Sequence, residues 1–337
     1  MNTSDKTRLV TVICWAVTAI ALLGLIVWFA IGGIFTNFGF GMGLMGHGTL
    51  KEVGSHSVSA DNIDSLQVDW ISGTVYVGTH SGDEIIITEY ARRDLNSGEE
   101  LTIDVRGNVL TVNYSERRLL INNNLVKELE ISIPDTLSSD FDLFKVETIS
   151  GGIDVSDIQA NDFTVQTISG RIELRQIAAP SIDATTVSGR IELRNIQSQR
   201  IMASTVSGRV TAFGTEAESV SLQTTSGRIE VRDSQIQVLE SEAVSGRLYL
   251  SGSFDDVNAR SSSGRIEVTS QIVPDGLIAH TSSGRIAVRI PSSDNVSVEY
   301  TTSGRFSSEI PVTTQVGTNA QFRLSTGSGR ITIYELR

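Results

Sequence analysis

The chain has one cysteine, four histidines and five prolines in 337 residues. Cys14 has no second cysteine to pair with, so an internal disulfide framework and a cysteine-based zinc site are both excluded. The histidines are His47, His56, His80 and His280, and none lies at a metal-ligand spacing such as H-x-x-x-H. Lysine is missing after Lys145, and every later basic residue is arginine. Arginine's planar fork stacks and pairs bidentately, so this bias points to geometry as well as charge. A basic excess is also lacking, because the net charge is −12. That excludes the basic face that nucleic-acid binding requires, and it argues against broad attraction to anionic lipid or wall polymers.

What the sequence does have begins with Leu9–Phe35, an apolar run without a single charge. About 20 apolar residues cross a bilayer core as a helix, so the run predicts one transmembrane helix. Trp28 and Phe29 fit an interfacial belt. Lys6 and Arg8 precede the run and no charge follows until Lys51, which places residues 1–8 in the cytoplasm and the rest outside. A cleaved signal peptide would have a shorter apolar region ending in an A-x-A site. No such site is evident, and the expectation is an uncleaved anchor. Residues 36–57 begin glycine-rich and are expected to form a tether.

The dominant signal is an internal repeat. Ser-Gly corners recur at Gly151, Gly170, Gly189, Gly208, Gly227, Gly246, Gly264, Gly284, Gly304 and Gly329. Successive spacings are 19, 19, 19, 19, 19, 18, 20, 20 and 25 residues. After the first unit, the next residue is always arginine: Arg171, Arg190, Arg209, Arg228, Arg247, Arg265, Arg285, Arg305 and Arg330. The flanks alternate apolar and polar, the strand period. Two residues after the glycine come Ile172, Ile191, Val210, Ile229 and their equivalents, and seven before it come Phe163, Ile182, Ile201 and Val220. A short unit with two strands cannot bury its own apolar side. Stacking units in parallel register buries it and satisfies the backbone.

The expected fold is therefore all-β: a single-stranded right-handed parallel β-helix over residues 58–337, preceded by the transmembrane helix. The corner glycines are expected at φ > 0, a conformation cheap only for glycine. Residues 150–337 hold the regular coils. Residues 58–149 read as the same solenoid less regularly written, with a corner at Gly73 and strands in EIIIT (84–88), LTIDV (101–105), VLTV (109–112) and LEISIP (129–134). That predicts roughly 13 or 14 coils, about 65 Å at about 4.8 Å per coil.

LEISIP, followed by VETISGGIDV and then repeated SGRIEL-type units, resembles the bacterial "putative adhesin" domains, a family of unknown function that includes LiaG-like membrane-anchored proteins. The resemblance covers roughly residues 60–337. It implies a right-handed β-helix, often joined to a membrane segment, and no established enzyme activity.

The residues themselves offer little chemistry. No G-x-S-x-G elbow is present, and the corner serines (Ser169, Ser188, Ser207) read as turn formers or a hydroxyl ladder. Asp154, Asp157 and Asp162, and separately Asp255 and Asp256, are the densest carboxylates, and the calcium repeat G-G-x-G-x-D is absent. No catalytic residue, metal or cofactor is expected. The arginine column has two readings. In the plainer one it is a structural charge ladder, relieved by Glu173, Glu192, Glu230 and Glu267 and flanked by Arg175, Arg194, Arg232 and Arg289. In the sharper one it is a linear anion-binding strip. The expected function is a non-catalytic, membrane-anchored surface module, with a cell-wall glycan or another envelope protein as partner. The alternatives are a self-assembling envelope scaffold joined through the strand RITIYEL (330–336), a stress-response accessory, and a polysaccharide lyase or hydrolase.

Overall fold

The structure, a computed structural model, describes residues 50–115, 125–138, 141–293, 296–313 and 320–336. The expected membrane span at 9–35 lies outside these, and no helix among the described residues is long and apolar enough to cross a membrane.

Period-two alternation turns one face of each extended segment inward, and the described chain is built of strands. The first are β1 (Lys51–Ser59), β2 (Ser65–Ser72), β3 (Val75–His80), β4 (Glu84–Ala91), β5 (Thr102–Arg106), β6 (Val109–Asn113) and β7 (Lys127–Pro134). Regular coils then pair a long strand with a short one. These are β8 (Phe141–Ser150) with β9 (Ile153–Ser156), β10 (Ala160–Ser169) with β11 (Ile172–Arg175), and β12 (Ala178–Ser188) with β13 (Ile191–Arg194). In β14 (Gln197–Phe213) and β15 (Glu216–Ser263), extended geometry runs on through the corners. The last strands are β16 (Ile266–Ser270), β17 (Gly276–Ser283), β18 (Ile286–Ile290), β19 (Val296–Thr302), β20 (Phe306–Ser308), β21 (Ala320–Ser328) and β22 (Ile331–Glu335).

Pairing between coils is parallel and in register, which makes the fold a β-solenoid. Phe163 lies opposite Phe144 and Ile182, and Ile172 lies opposite Ile153 and Ile191. The inward positions form columns: Ile172, Ile191, Val210, Ile229, Ile266 and Ile286 are all fully buried. Each such side chain contributes roughly 1.5–3 kcal/mol. Phe144 and Phe163 stack with ring centroids 4.7 Å apart and 3° between planes.

The corner glycines correct the conformational expectation. Of the Ser-Gly corners, only Gly73 has positive φ, at 90°. From Gly151 onward the need is for space. A Cβ on Gly208 would overlap the carbonyl oxygen of Gly189, and one on Gly227 that of Gly208, all along the stack. Three residues earlier, a hydroxyl fastens the same carbonyls. Thr186 Oγ1 donates to Gly170 O at 3.3 Å, Thr205 to Gly189 O at 3.3 Å and Thr281 to Gly264 O at 3.3 Å. The left-handed conformation sits at the other corner, at Asp157, Gln176, Asn195, Gly214 and Asp233, with φ between 49° and 63°. These residues also recur every 19 positions. Asp, Asn and Gly tolerate this conformation readily, while Gln176 carries its strain.

Both ends of the stack depart from chain order. At the N-terminal end, β2 lies between β6 and β8, and β3 between β7 and β9, so the first coil is sandwiched by the next two. At the C-terminal end, β21 lies between β17 and β19, and β22 between β18 and β20. The strand RITIYEL is thus an interior strand, with the coil of β19 and β20 beyond it and Thr313 bridged to the far side of β19. Assembly through a free RITIYEL edge is corrected accordingly.

The irregular region is corrected as well. VLTV and LEISIP belong to a coil. EIIIT and LTIDV do not: β4 runs antiparallel to β7 and to β1, and β5 runs antiparallel to β6. The Gly107-Asn108 turn, with Gly107 at φ 60°, folds β5 and β6 into a hairpin. These antiparallel strands cover the unpaired edges of the end coil, the exposed feature that invites foreign pairing. β1 begins at Lys51, within the segment 36–57 expected as a tether. With 84–106 used as cover, the stack has roughly a dozen coils, about 55 Å long.

A buried lysine holds this cover in place. Lys127 is fully buried, and its Nζ lies 2.5 Å from Glu89 Oε1. It donates to Glu99 O at 2.6 Å and to Tyr114 O, and it sits over the rings of Tyr114 at 4.0 Å and Trp70 at 5.1 Å. Burial pushes its ammonium below the usual lysine range, with the Glu89 carboxylate opposing.

Candidate anion-binding face

The residue after each corner glycine points outward at the start of the short strand, and register then stacks the arginines. All nine are exposed. Backbone bonds fix their order. Ile172 N donates to Arg190 O at 2.8 Å, Leu248 N to Arg265 O at 3.0 Å and Ile266 N to Arg285 O at 2.9 Å. Ile286 N donates to Arg330 O at 3.0 Å and Ile331 N to Arg305 O at 3.0 Å. The column therefore ends Arg285, Arg330, Arg305: the reordered C-terminal coils stay in line.

Two residues on, a second outward column carries Asp154, Glu173, Glu192, Thr211, Glu230, Tyr249, Glu267, Ala287, Thr332 and Ser307. Over its first three coils it neutralises the arginines, while Arg209 has Thr211 in that place. Arg190 reaches Glu192 at 3.0 Å, Arg194 reaches Glu192 at 3.2 Å, and Arg171 pairs with Glu173. Arg175 bridges Asp154 at 2.6 Å and Glu173 at 2.9 Å. Burial alone would raise the Glu192 carboxyl. Hydrogen bonds from Arg190 and Arg194, helped by the charge of Arg171, outweigh it and hold the group below the usual carboxylate range. The arginine partners are about half exposed, so each pair is worth no more than about 1 kcal/mol.

The C-terminal half differs. Among the described residues, only Arg265 of the column there pairs with a carboxylate, Glu267 at 2.8 Å. Where the column carries Ala287, Thr332 and Ser307, no carboxylate stands beside Arg285, Arg330 and Arg305. Arg247 has Tyr249 in that place. Arg289, in the flanking column, lies over the Tyr334 ring at 4.8 Å. The two readings of the column thus apply to different halves: a compensated ladder from Arg171 to Arg190, and a strip of mostly uncompensated positive charge from Arg247 onward.

The remaining candidates do not converge. Asp154 pairs with Arg175, Asp157 occupies the left-handed corner, and Asp162 lies on the long strand opposite Ser181. Among the described residues, no group of three or more His, Cys, Asp or Glu could hold a metal ion. The corner serines stack, Ser169 on Ser188 on Ser207 on Ser226, as an exposed column. The hydroxyl ladder that grips the backbone is the threonine column instead. Tyr249 did not emerge from the sequence reading, although it is visible there as the aromatic break in Glu173, Glu192, Glu230 and Glu267.

The family described as Toastrack DUF4097 matches residues 63–251 and 181–334. No curated protein matches the chain. Among solved structures, the chain is similar to a "putative adhesin" from Parabacteroides distasonis at 12% identity and TM-score 0.45, covering 86% of this chain and 98% of that one. It is also similar to a "putative adhesin" from Bacteroides fragilis at 9% identity and TM-score 0.40, covering 86% and 99%. A "putative lipid binding protein" from Parabacteroides distasonis is similar at 12% identity and TM-score 0.37, covering 87% and 98%.

Proposed function

The chain belongs to the Toastrack DUF4097 family, and we propose that it is a non-catalytic surface-interaction module of the cell envelope that binds a linear anionic cell-wall glycan along its arginine face. In this reading residues 9–35 anchor the chain in the membrane, and the solenoid stands outside it. The winding is right-handed, as parallel strand connections almost always are.

One observation carries the proposal: Arg247, Arg265, Arg285, Arg330 and Arg305 follow one another in adjacent coils with a single paired carboxylate among them. Stacked like charges repel, so a column kept only for stability would carry glutamates along its whole length, as it does beside Arg171 and Arg190. A polyanion lying along the axis would supply the missing charge. The net charge of −12 keeps this attraction local to the face.

The test compares two triple variants of the full chain in a cell-wall pull-down. Arg285→Gln, Arg305→Gln and Arg330→Gln together should weaken binding roughly tenfold or more, each exposed charge contact being worth up to about 1 kcal/mol, with little change in melting temperature. Arg171→Gln, Arg175→Gln and Arg190→Gln together should lower the melting temperature, because Glu173 loses its two closest partners, and leave most binding intact. Equal binding by the first triple variant and wild type would overturn the proposal.

A further inference from the structure

The carboxylate column breaks at Tyr249, between Glu230 on the preceding coil and Glu267 on the following one. Tyr249 is 39% exposed, with its ring on the outer face of the short strand. It lines a groove of about 230 Å³ together with Arg228, Glu230, Arg232, Arg247, Arg265 and Glu267. Arg232 pairs with Glu230, and Arg265 pairs with Glu267 at 2.8 Å. Both glutamates are thus engaged by these arginines. Arg247 on the tyrosine's own coil and Arg228 on the preceding one have no ion pair of their own among the described residues.

We propose that this groove is a subsite for one uronic-acid residue of an acidic glycan. The inference rests on the anionic-glycan reading of the face and names the chemistry of one position along it. A tyrosine ring offers a flat apolar face with a polar edge, which suits the C–H face of a pyranose. Arg247 and Arg228 offer planar forks to the sugar carboxylate, the geometry in which arginine and carboxylate pair best. Glu230 and Glu267 flank the ring as acceptors for sugar hydroxyls. The groove is smaller than pockets for drug-sized ligands and suits a single ring. Coils repeat at about 4.8 Å, close to the length of one sugar along an extended chain, so the sugars that follow would meet Arg265, Arg285 and Arg330 in turn. A phosphate polymer would use the same arginines and gain nothing from the tyrosine ring, and this separates the two kinds of polyanion.

The experiment titrates the full chain with oligogalacturonate and, in parallel, with inorganic polyphosphate. Tyr249→Ala should weaken oligogalacturonate binding about tenfold and leave polyphosphate binding unchanged, while Tyr249→Phe should bind both as wild type does. Arg285→Gln combined with Arg330→Gln should weaken both polymers. If Tyr249→Ala binds oligogalacturonate as tightly as wild type while the arginine variant loses both polymers, the subsite is wrong and the arginine face stands. If the arginine variant also binds both as wild type does, the face reading fails and the subsite fails with it.

Discussion

Gly208→Ala is expected to destabilise the protein by about 3 kcal/mol or more, although it adds one methyl group to a residue with ordinary φ. Elsewhere, replacing glycine by alanine at a compatible φ stabilises by about 0.4–1 kcal/mol, because the unfolded chain loses freedom. Here the new Cβ would occupy the position of the Gly189 carbonyl oxygen, with Thr205 Oγ1 only 3.2 Å away. That carbonyl accepts the Thr205 hydroxyl at 3.3 Å, so it cannot move aside without breaking the ladder at one coil boundary. Contacts in a solenoid run only between neighbours, so an opening there divides the stack. Gly107→Ala is the control. Nothing lies within 4 Å of its Cβ position and its φ is +60°, so it should cost only about 1–2 kcal/mol from backbone strain. Urea denaturation of both variants measures the difference. A Gly208→Ala cost no greater than that of Gly107→Ala would mean the coils do not approach as closely as described.

Lys127→Met should cost about 3–5 kcal/mol, because Glu89, itself only 2% exposed, is left buried with no counter-charge. The carbonyls of Glu99 and Tyr114 lose their donor in the same step. Glu89→Gln added to Lys127→Met removes the orphaned charge and should recover a large part of the loss, leaving the deficit of the two carbonyls. A double-mutant cycle by thermal unfolding gives the coupling. Additive losses from Lys127→Met and Glu89→Gln would show that the two groups do not meet. Because the pair joins β4 to β7 of the end coil, the single variant should also expose β4 and β5 to hydrogen exchange before the regular coils open.

The regular coils were legible in the sequence because their physics is local and repeated. An apolar residue two positions after a Ser-Gly corner has one inward place to go, and near-constant spacing stacks it on its equivalents. The arginine column and the glutamates beside it follow from the same register. What escaped the sequence was contact between segments far apart in the chain. Gly284 and Gly304 are 20 residues apart and look like neighbouring corners, yet Gly329 lies between them in the stack. LTIDV alternates as well as any coil strand, EIIIT is as rich in β-branched residues, and neither feature carries information on strand direction. The role of the corner glycine was misjudged for a related reason: a local reading sees φ, while the constraint comes from the carbonyl of the next coil. Lys127 is a single lysine with nothing in its neighbourhood to announce burial. Tyr249 was readable, as an aromatic residue where the column otherwise favours glutamate.

The face at its uncompensated end exists only if the last coil is inserted where the register places it. The most direct measurement is disulfide trapping in a chain with Cys14→Ser. Ala287 pairs with Thr332 across adjacent coils, and Ser307 lies one coil beyond Thr332. Neighbouring parallel strands lie about 4.8 Å apart, within the Cα separation a disulfide allows, whereas two coils away exceeds it. Ala287→Cys with Thr332→Cys should oxidise to an intramolecular disulfide, seen as a loss of two mass units, and Ala287→Cys with Ser307→Cys should stay reduced. The reverse pattern, with 287 joined to 307 and not to 332, would mean that the coils stack in chain order and would contradict the account.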